Sequence, residues 1–170
     1  MLLDLSKLIV SPGASVQFQT QVDLSDLTFG SCRPATQPVI AAGTVKNTAD
    51  VLIMDGTIVT TLHGICDRCA SSFVREVSFP LHAVLVSELA SEQDEDQWTF
   101  VLQDDCADLV EIVSTTFVLA MDSKLLCKDD CKGLCCRCGK NLNDGPCDCK
   151  PEMDSRMAVL QQLLDKKKSF

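Results

Sequence analysis

The sequence predicts an α+β protein, a mostly antiparallel β-sheet packed with one or two helices and joined to a cysteine-rich module. Three observations predict it. Residues 14–86 carry runs rich in Val, Ile and Thr, some of them strictly alternating, as in strands with one wet face. Residues 108–121 space their apolar side chains at helical intervals instead. Residues 127–149 hold seven of the eleven cysteines, interleaved with Gly133, Gly139, Gly145 and Pro146. Such a stretch buries little apolar surface and sustains neither helix nor strand. It needs a covalent or coordinate support.

The elements follow in chain order. Residues 14–22 set Val16, Phe18, Thr20 and Val22 against Gln17, Gln19 and Gln21, which predicts a strand. Residues 24–38 are broken by Gly30, Pro34 and Pro38 and read as loop, with Cys32 as a free thiol. Residues 39–46 and 51–62 predict two strands joined by a turn at 47–50, with a bulge at Asp55-Gly56. Residues 73–86 predict another strand, in which Pro80 suits an edge or a bend. Short connections favour an antiparallel meander, which puts Cys66 and Cys69 at a hairpin tip. Residues 87–97 are acidic and read as a solvated loop or short helix, followed by a short strand at 98–102. Asp108 can cap a helix running to about Met121, with Leu109, Ile112, Val113, Thr116, Phe117 and Ala120 on one face as core. Residues 151–154 can start a final helix presenting Met157, Leu160 and Leu164, closed by Lys166 to Lys168. The division is therefore a β-rich domain with an amphipathic helix (1–122), a cysteine-rich zinc module (123–150) and a C-terminal helix (151–170).

Charge is uneven. Residues 1–120 carry a net −11 and residues 121–170 a net +2, within a total of −9. A body this acidic repels a phosphate backbone over most of its surface, so nucleic-acid contact would need a local basic patch. No apolar run is long enough to span a membrane. Asp4 and Lys7 interrupt any leader-like core in residues 1–10. A soluble, cytoplasmic protein is expected.

The cysteines point to zinc, which takes four tetrahedral ligands and favours sulfur in structural sites. Cys135-Cys136-Arg137-Cys138-Gly139 has the form of a zinc knuckle, and Cys147 and Cys149 can close that first site after the turn at 141–146. Cys66 and Cys69 are a half-site, for which Cys127 and Cys131 are the best partners in a second site. His63 or His82 could serve instead, as could a single site of Cys66, Cys69, Cys135 and Cys138. Cys136 could compete with Cys135, and Cys106 reads as a small buried apolar residue. An odd cysteine total, no leader and a chain long enough to fold without staples argue against disulfides. A thioredoxin-like pair needs a helix after its first thiol, whereas strand follows Cys69. There is no Ser/His/Asp set, Gly-rich phosphate loop or His-Glu metal motif, and a nearly all-sulfur ligand supply favours a closed structural site. The expectation is a non-enzyme without a small-molecule substrate. A zinc-stabilised adaptor is the alternative, a thiol oxidoreductase the remote one.

The combination resembles the YceD-like family, the large ribosomal RNA subunit accumulation proteins. The likeness rests on Cys66-Asp67-Arg68-Cys69-Ala70, Leu126-Cys127, and Asp130-Cys131-Lys132-Gly133-Leu134-Cys135. It continues through Cys138-Gly139-Lys140-Asn141-Leu142-Asn143, Cys147-Asp148-Cys149 and Met157-Ala158-Val159-Leu160. Cys136 and Asp122 depart from the family pattern, standing where proline is expected. Some members of the family lack the C-terminal cysteine cluster, so its metal does not define the family's function. The resemblance implies a bacterial ribosome-biogenesis factor that supports accumulation of large-subunit rRNA and is genetically linked to a small ribosomal protein. Its partners would then be ribosomal proteins or pre-large-subunit particles, the acidic body docking on basic proteins. Lys124, Lys128, Lys132, Arg137, Lys140 and Lys150 could touch rRNA locally, although ordinary solvated surface explains them equally well.

Overall fold

A computed structural model describes residues 1–29, 33–48, 51–88 and 98–149. Alternation builds its main sheet. Strand β2 (Ser15–Val22) buries Phe18, Thr20 and Val22 and exposes the three glutamines between and beside them. It pairs antiparallel with β3 (Val39–Thr48), which pairs with β4 (Val51–Ile65), which pairs with β5 (Ser72–Val86). These four strands form the expected meander. The fifth, β6 (Thr99–Val101), runs parallel to the end of β5, so the sheet is mostly rather than wholly antiparallel. A longer connection is what makes a parallel neighbour reachable. β6 covers only Val84 to Val86, which leaves Pro80 on an edge that needs no N–H donor.

The predicted bulge at Asp55-Gly56 is not formed. Register runs unbroken there, with Gly43 directly opposite Gly56. A Cβ on Gly43 would lie 2.2 Å from the Asp55 carbonyl oxygen, and one on Gly56 would lie 2.5 Å from that of Ala42. The two backbones approach too closely for any side chain, so glycine here marks an intimate crossing and not an extra residue.

Helix α2 (Leu109–Ala120) starts at Asp108, whose carboxylate accepts the Val110 N–H at 2.9 Å. It buries Leu109, Ile112, Val113, Thr116 and Phe117 against one face of the sheet, while Ala120 is only half-buried. The Phe117 ring meets Phe29 and Phe79 edge-on, with centroids 6.3 and 5.8 Å apart. Sequence periodicity is too weak to reveal three short pieces: β1 (Leu2–Asp4), the single-turn α1 (Ser6–Ile9) and β7 (Cys106–Asp108). β1 and β7 pair antiparallel as a separate ribbon. Cys106 lies in it half-buried, not fully buried as expected for a small core residue. The loop before β3 is partly structured, since Ala35 bridges Leu62 and is fully buried. Cys32, most of the acidic stretch, Lys150 and the predicted final helix lie outside the described residues. Among the described residues no helix is long and apolar enough to cross a membrane.

Candidate metal centres

Two turns of the same construction carry two of the cysteine pairs. In Cys66-Asp67-Arg68-Cys69-Ala70, at the β4–β5 tip, Ala70 adopts a φ of 55° and donates its N–H to the Cys66 carbonyl at 2.9 Å. In Cys135-Cys136-Arg137-Cys138-Gly139, Gly139 adopts a φ of 71° and donates to the Cys135 carbonyl at 3.0 Å. Each turn curls around its first cysteine. The backbone N–H of Arg137 points at the Cys135 sulfur, 3.5 Å away. The left-handed residue that closes the curl is a glycine in one turn and an alanine in the other.

The structure groups eight sulfurs into two fours. Cys66, Cys69, Cys127 and Cys131 form an inner group; Cys135, Cys138, Cys147 and Cys149 form an outer one. Within each, all four sulfurs lie within 4.8 Å of one another. Cys66 and Cys131 are 3.8 Å apart and Cys69 and Cys127 3.7 Å, with the cysteines free. A disulfide would need about 2.05 Å. A tetrahedron of sulfurs about 2.3 Å from a central zinc has edges of about 3.8 Å. The spacing therefore suits four ligands around one thiophilic ion. The mixed set of Cys66, Cys69, Cys135 and Cys138 is not assembled. His63 and His82 belong to neither group, and His82 instead meets Asp55 at 2.7 Å. Cys136 is exposed and stands outside both.

Electrostatics supports the same reading. Burial works against the Cys66 thiolate, but N–H groups of Cys127, Cys69 and Arg68 hold its pKa down at about 6. Burial and the neighbouring sulfurs of Cys131, Cys66 and Cys69 push Cys127 up to about 12. Cys131 is lowered, chiefly by the Asn143 side chain. In the outer group the N–H groups of Cys138 and Arg137 bring Cys135 to about 6, while Cys138, burial and Cys135 raise Cys149 to about 12. Four thiolates this close repel one another, so in each group at least one thiol is held protonated. A central divalent cation removes that conflict and lets all four ionise. Bound there, it would supply a cross-link and, with four protein ligands, no open position for a substrate.

Residues between the cysteines position the groups, and cysteine spacing alone does not single them out. The Asp67 carboxylate accepts the Leu125 N–H at 2.7 Å and its own N–H donates to the Leu125 carbonyl at 2.8 Å. Arg68 reaches the Cys131 carbonyl at 3.2 Å with Nη1, and its own carbonyl accepts the Leu134 N–H at 3.1 Å. Gly133 passes so near that a Cβ there would sit 3.0 Å from the Arg68 oxygen. Asn143 accepts the Lys132 N–H at 2.9 Å and directs Nδ2 at the Cys131 sulfur, 3.4 Å away. Asn141 reaches the Ser71 hydroxyl at 3.3 Å and accepts from Asn143. These are outer contacts of the kind that orient ligands. Their sequence signal was the polar residues placed inside otherwise cysteine- and glycine-rich strings.

The family model described as large ribosomal RNA subunit accumulation protein YceD matches residues 54–164, a span that contains both sulfur groups. Uncharacterized proteins of Mycobacterium bovis and of two strains of Mycobacterium tuberculosis are each 25% identical to the chain over 122 residues. That alignment takes in 71% of this chain and 59% of each relative, so the chain spans less than two thirds of their length. No solved structure matches the chain.

Proposed function

The chain belongs to the YceD family of large ribosomal RNA subunit accumulation proteins, and from that premise we propose that it is a non-enzymatic factor supporting accumulation and assembly of the large ribosomal subunit, with zinc in both sulfur groups. The family match carries the reading. The geometry supports its non-enzymatic part: among the described residues each group offers four thiols and no carboxylate or histidine, the donor set of a closed structural zinc site. Zinc is the ion of choice because it has no redox chemistry and accepts tetrahedral sulfur. Partners are basic ribosomal proteins or pre-large-subunit particles in the cytoplasm, reached by the acidic body through charge complementarity. Lys124, Lys128, Lys132, Arg137 and Lys140, interleaved with the cysteines, would make the local rRNA contacts.

The test is affinity purification of the tagged protein from growing cells, with gradient separation of ribosomal particles. Large-subunit precursors or ribosomal proteins should be enriched, and a Cys69→Ser variant should enrich them less. Recovery with no ribosomal component overturns the ribosomal role. Recovery of one unrelated protein favours a zinc-stabilised adaptor.

A further inference from the structure

We propose that the two sulfur groups have different jobs: the inner one is a permanent staple, and the outer one is an exchangeable site for a thiophilic divalent ion. The proposal rests on the zinc reading above. Three observations separate the groups.

The first is access. Cys66, Cys69 and Cys131 are 1%, 4% and 4% exposed, so three inner sulfurs are sealed from solvent. In the outer group Cys138 is exposed and Cys147 and Cys149 are half-buried. A metal leaves a four-sulfur site stepwise, as a competing ligand takes up each coordination position a sulfur vacates. A solvent-open cysteine such as Cys138 offers that entry, whereas among the inner ligands only Cys127 is even half-buried.

The second is what must move. Inner sulfurs in contact are 58 and 65 residues apart in the chain. Opening that group parts the hairpin tip from residues 125–134 and breaks the Asp67–Leu125, Arg68–Cys131 and Arg68–Leu134 hydrogen bonds. The outer ligands all fall within residues 135–149. A Cβ on Gly139 or Gly145 would meet no atom within 4 Å, so this loop has open space at both turns. Its metal can leave without parting the hairpin tip from residues 125–134.

The third is a link between the groups. Residues 141–143 follow the outer knuckle but serve the inner group, through Leu142 N–H on the Gly133 carbonyl at 2.9 Å and Asn143 on the Cys131 sulfur. Exchange at the outer group therefore loosens one brace of the staple without removing it.

Native mass spectrometry of the full chain purified with zinc, followed during challenge with excess EDTA, tests this. Two ions should be bound at the start. One should leave at least about tenfold faster than the other, as removal of supporting contacts typically changes metal affinity by 10–100-fold. Cys138→Ser should keep one ion and an unchanged sheet by circular dichroism. Loss of both ions in a single phase, or loss of both from Cys138→Ser, overturns the division of labour while leaving zinc binding intact. Absence of any bound ion overturns both this proposal and the zinc reading, whereas the ribosomal role is decided separately by the affinity purification.

Discussion

Asp67 and Leu125 hold each other by two hydrogen bonds, N–H to carbonyl at 2.8 Å and N–H to carboxylate at 2.7 Å, across 58 positions of sequence. The pair clips the β4–β5 tip to the chain just before Cys127. It stands beside the inner sulfurs without being one of them.

Asp67→Ala should therefore weaken the inner group without deleting a ligand. The expected loss is about tenfold in metal affinity and about 1 kcal/mol in stability for one hydrogen bond to a carboxylate at a partly exposed site. Competition with a chromophoric chelator measures the first and urea unfolding the second. Unchanged affinity would show that the clip is incidental.

Ala70 carries a left-handed backbone where the matching turn uses Gly139. An L-residue with a side chain spends about 1–2 kcal/mol in that conformation, part of which glycine returns as unfolded-state entropy. Ala70→Gly should leave metal stoichiometry unchanged and stabilise the holo protein by about 0.5 kcal/mol or more. Gly139→Ala should do the reverse. Thermal unfolding of the two variants side by side checks the sign.

Gly56→Ala should destabilise by about 1–3 kcal/mol, the usual cost of forcing volume into a packed contact. The added Cβ falls 2.5 Å from the Ala42 oxygen, and backbone on both sides must shift. Gly43→Ala, with its contact at 2.2 Å, should cost more. Urea midpoints at constant slope would rank the two, and equal midpoints would contradict the crossing.

Asp108 caps α2, and the Val110 N–H, followed by the N-terminal amine, holds its carboxyl below the usual carboxylate range. A lowered pKa means that the cap contributes fully above about pH 4 and fades as pH falls through the depressed value. Asp108→Ala should cost about 1 kcal/mol at neutral pH. The gap between variant and wild type should narrow as the solution is acidified below the ordinary carboxylate pKa. A gap that widened in acid would exclude the cap as its source.

Much of this was readable from local chemistry. Alternation in residues 15–22, the Asp108 cap and the Cys-x-x-Cys turns each depend on neighbours a few residues apart. The hairpin-tip position of Cys66 and Cys69 followed from strands on either side. What escaped depends on distant partners. Gly56 invited a bulge because a glycine in a strand looks alike whether it adds a residue or faces another glycine, and only Gly43 distinguishes the cases. The roles of Asp67, Arg68 and Asn143 needed residues 125–134 to be folded against the tip. Residues 98–102 predict a short strand, but the parallel direction of β6 is fixed by where it docks on Val84 to Val86.

The small ribbon of β1 and β7 sets a timetable for synthesis. Leu2 pairs with Asp108, so the β1 segment is synthesised more than a hundred residues ahead of its mate. At ordinary elongation rates that wait is roughly 5–20 s. Throughout it, Leu5 and Leu8, which end up sealed in the core, remain without their final shelter. The core therefore closes late at this corner, since its two leucines wait on a strand made last.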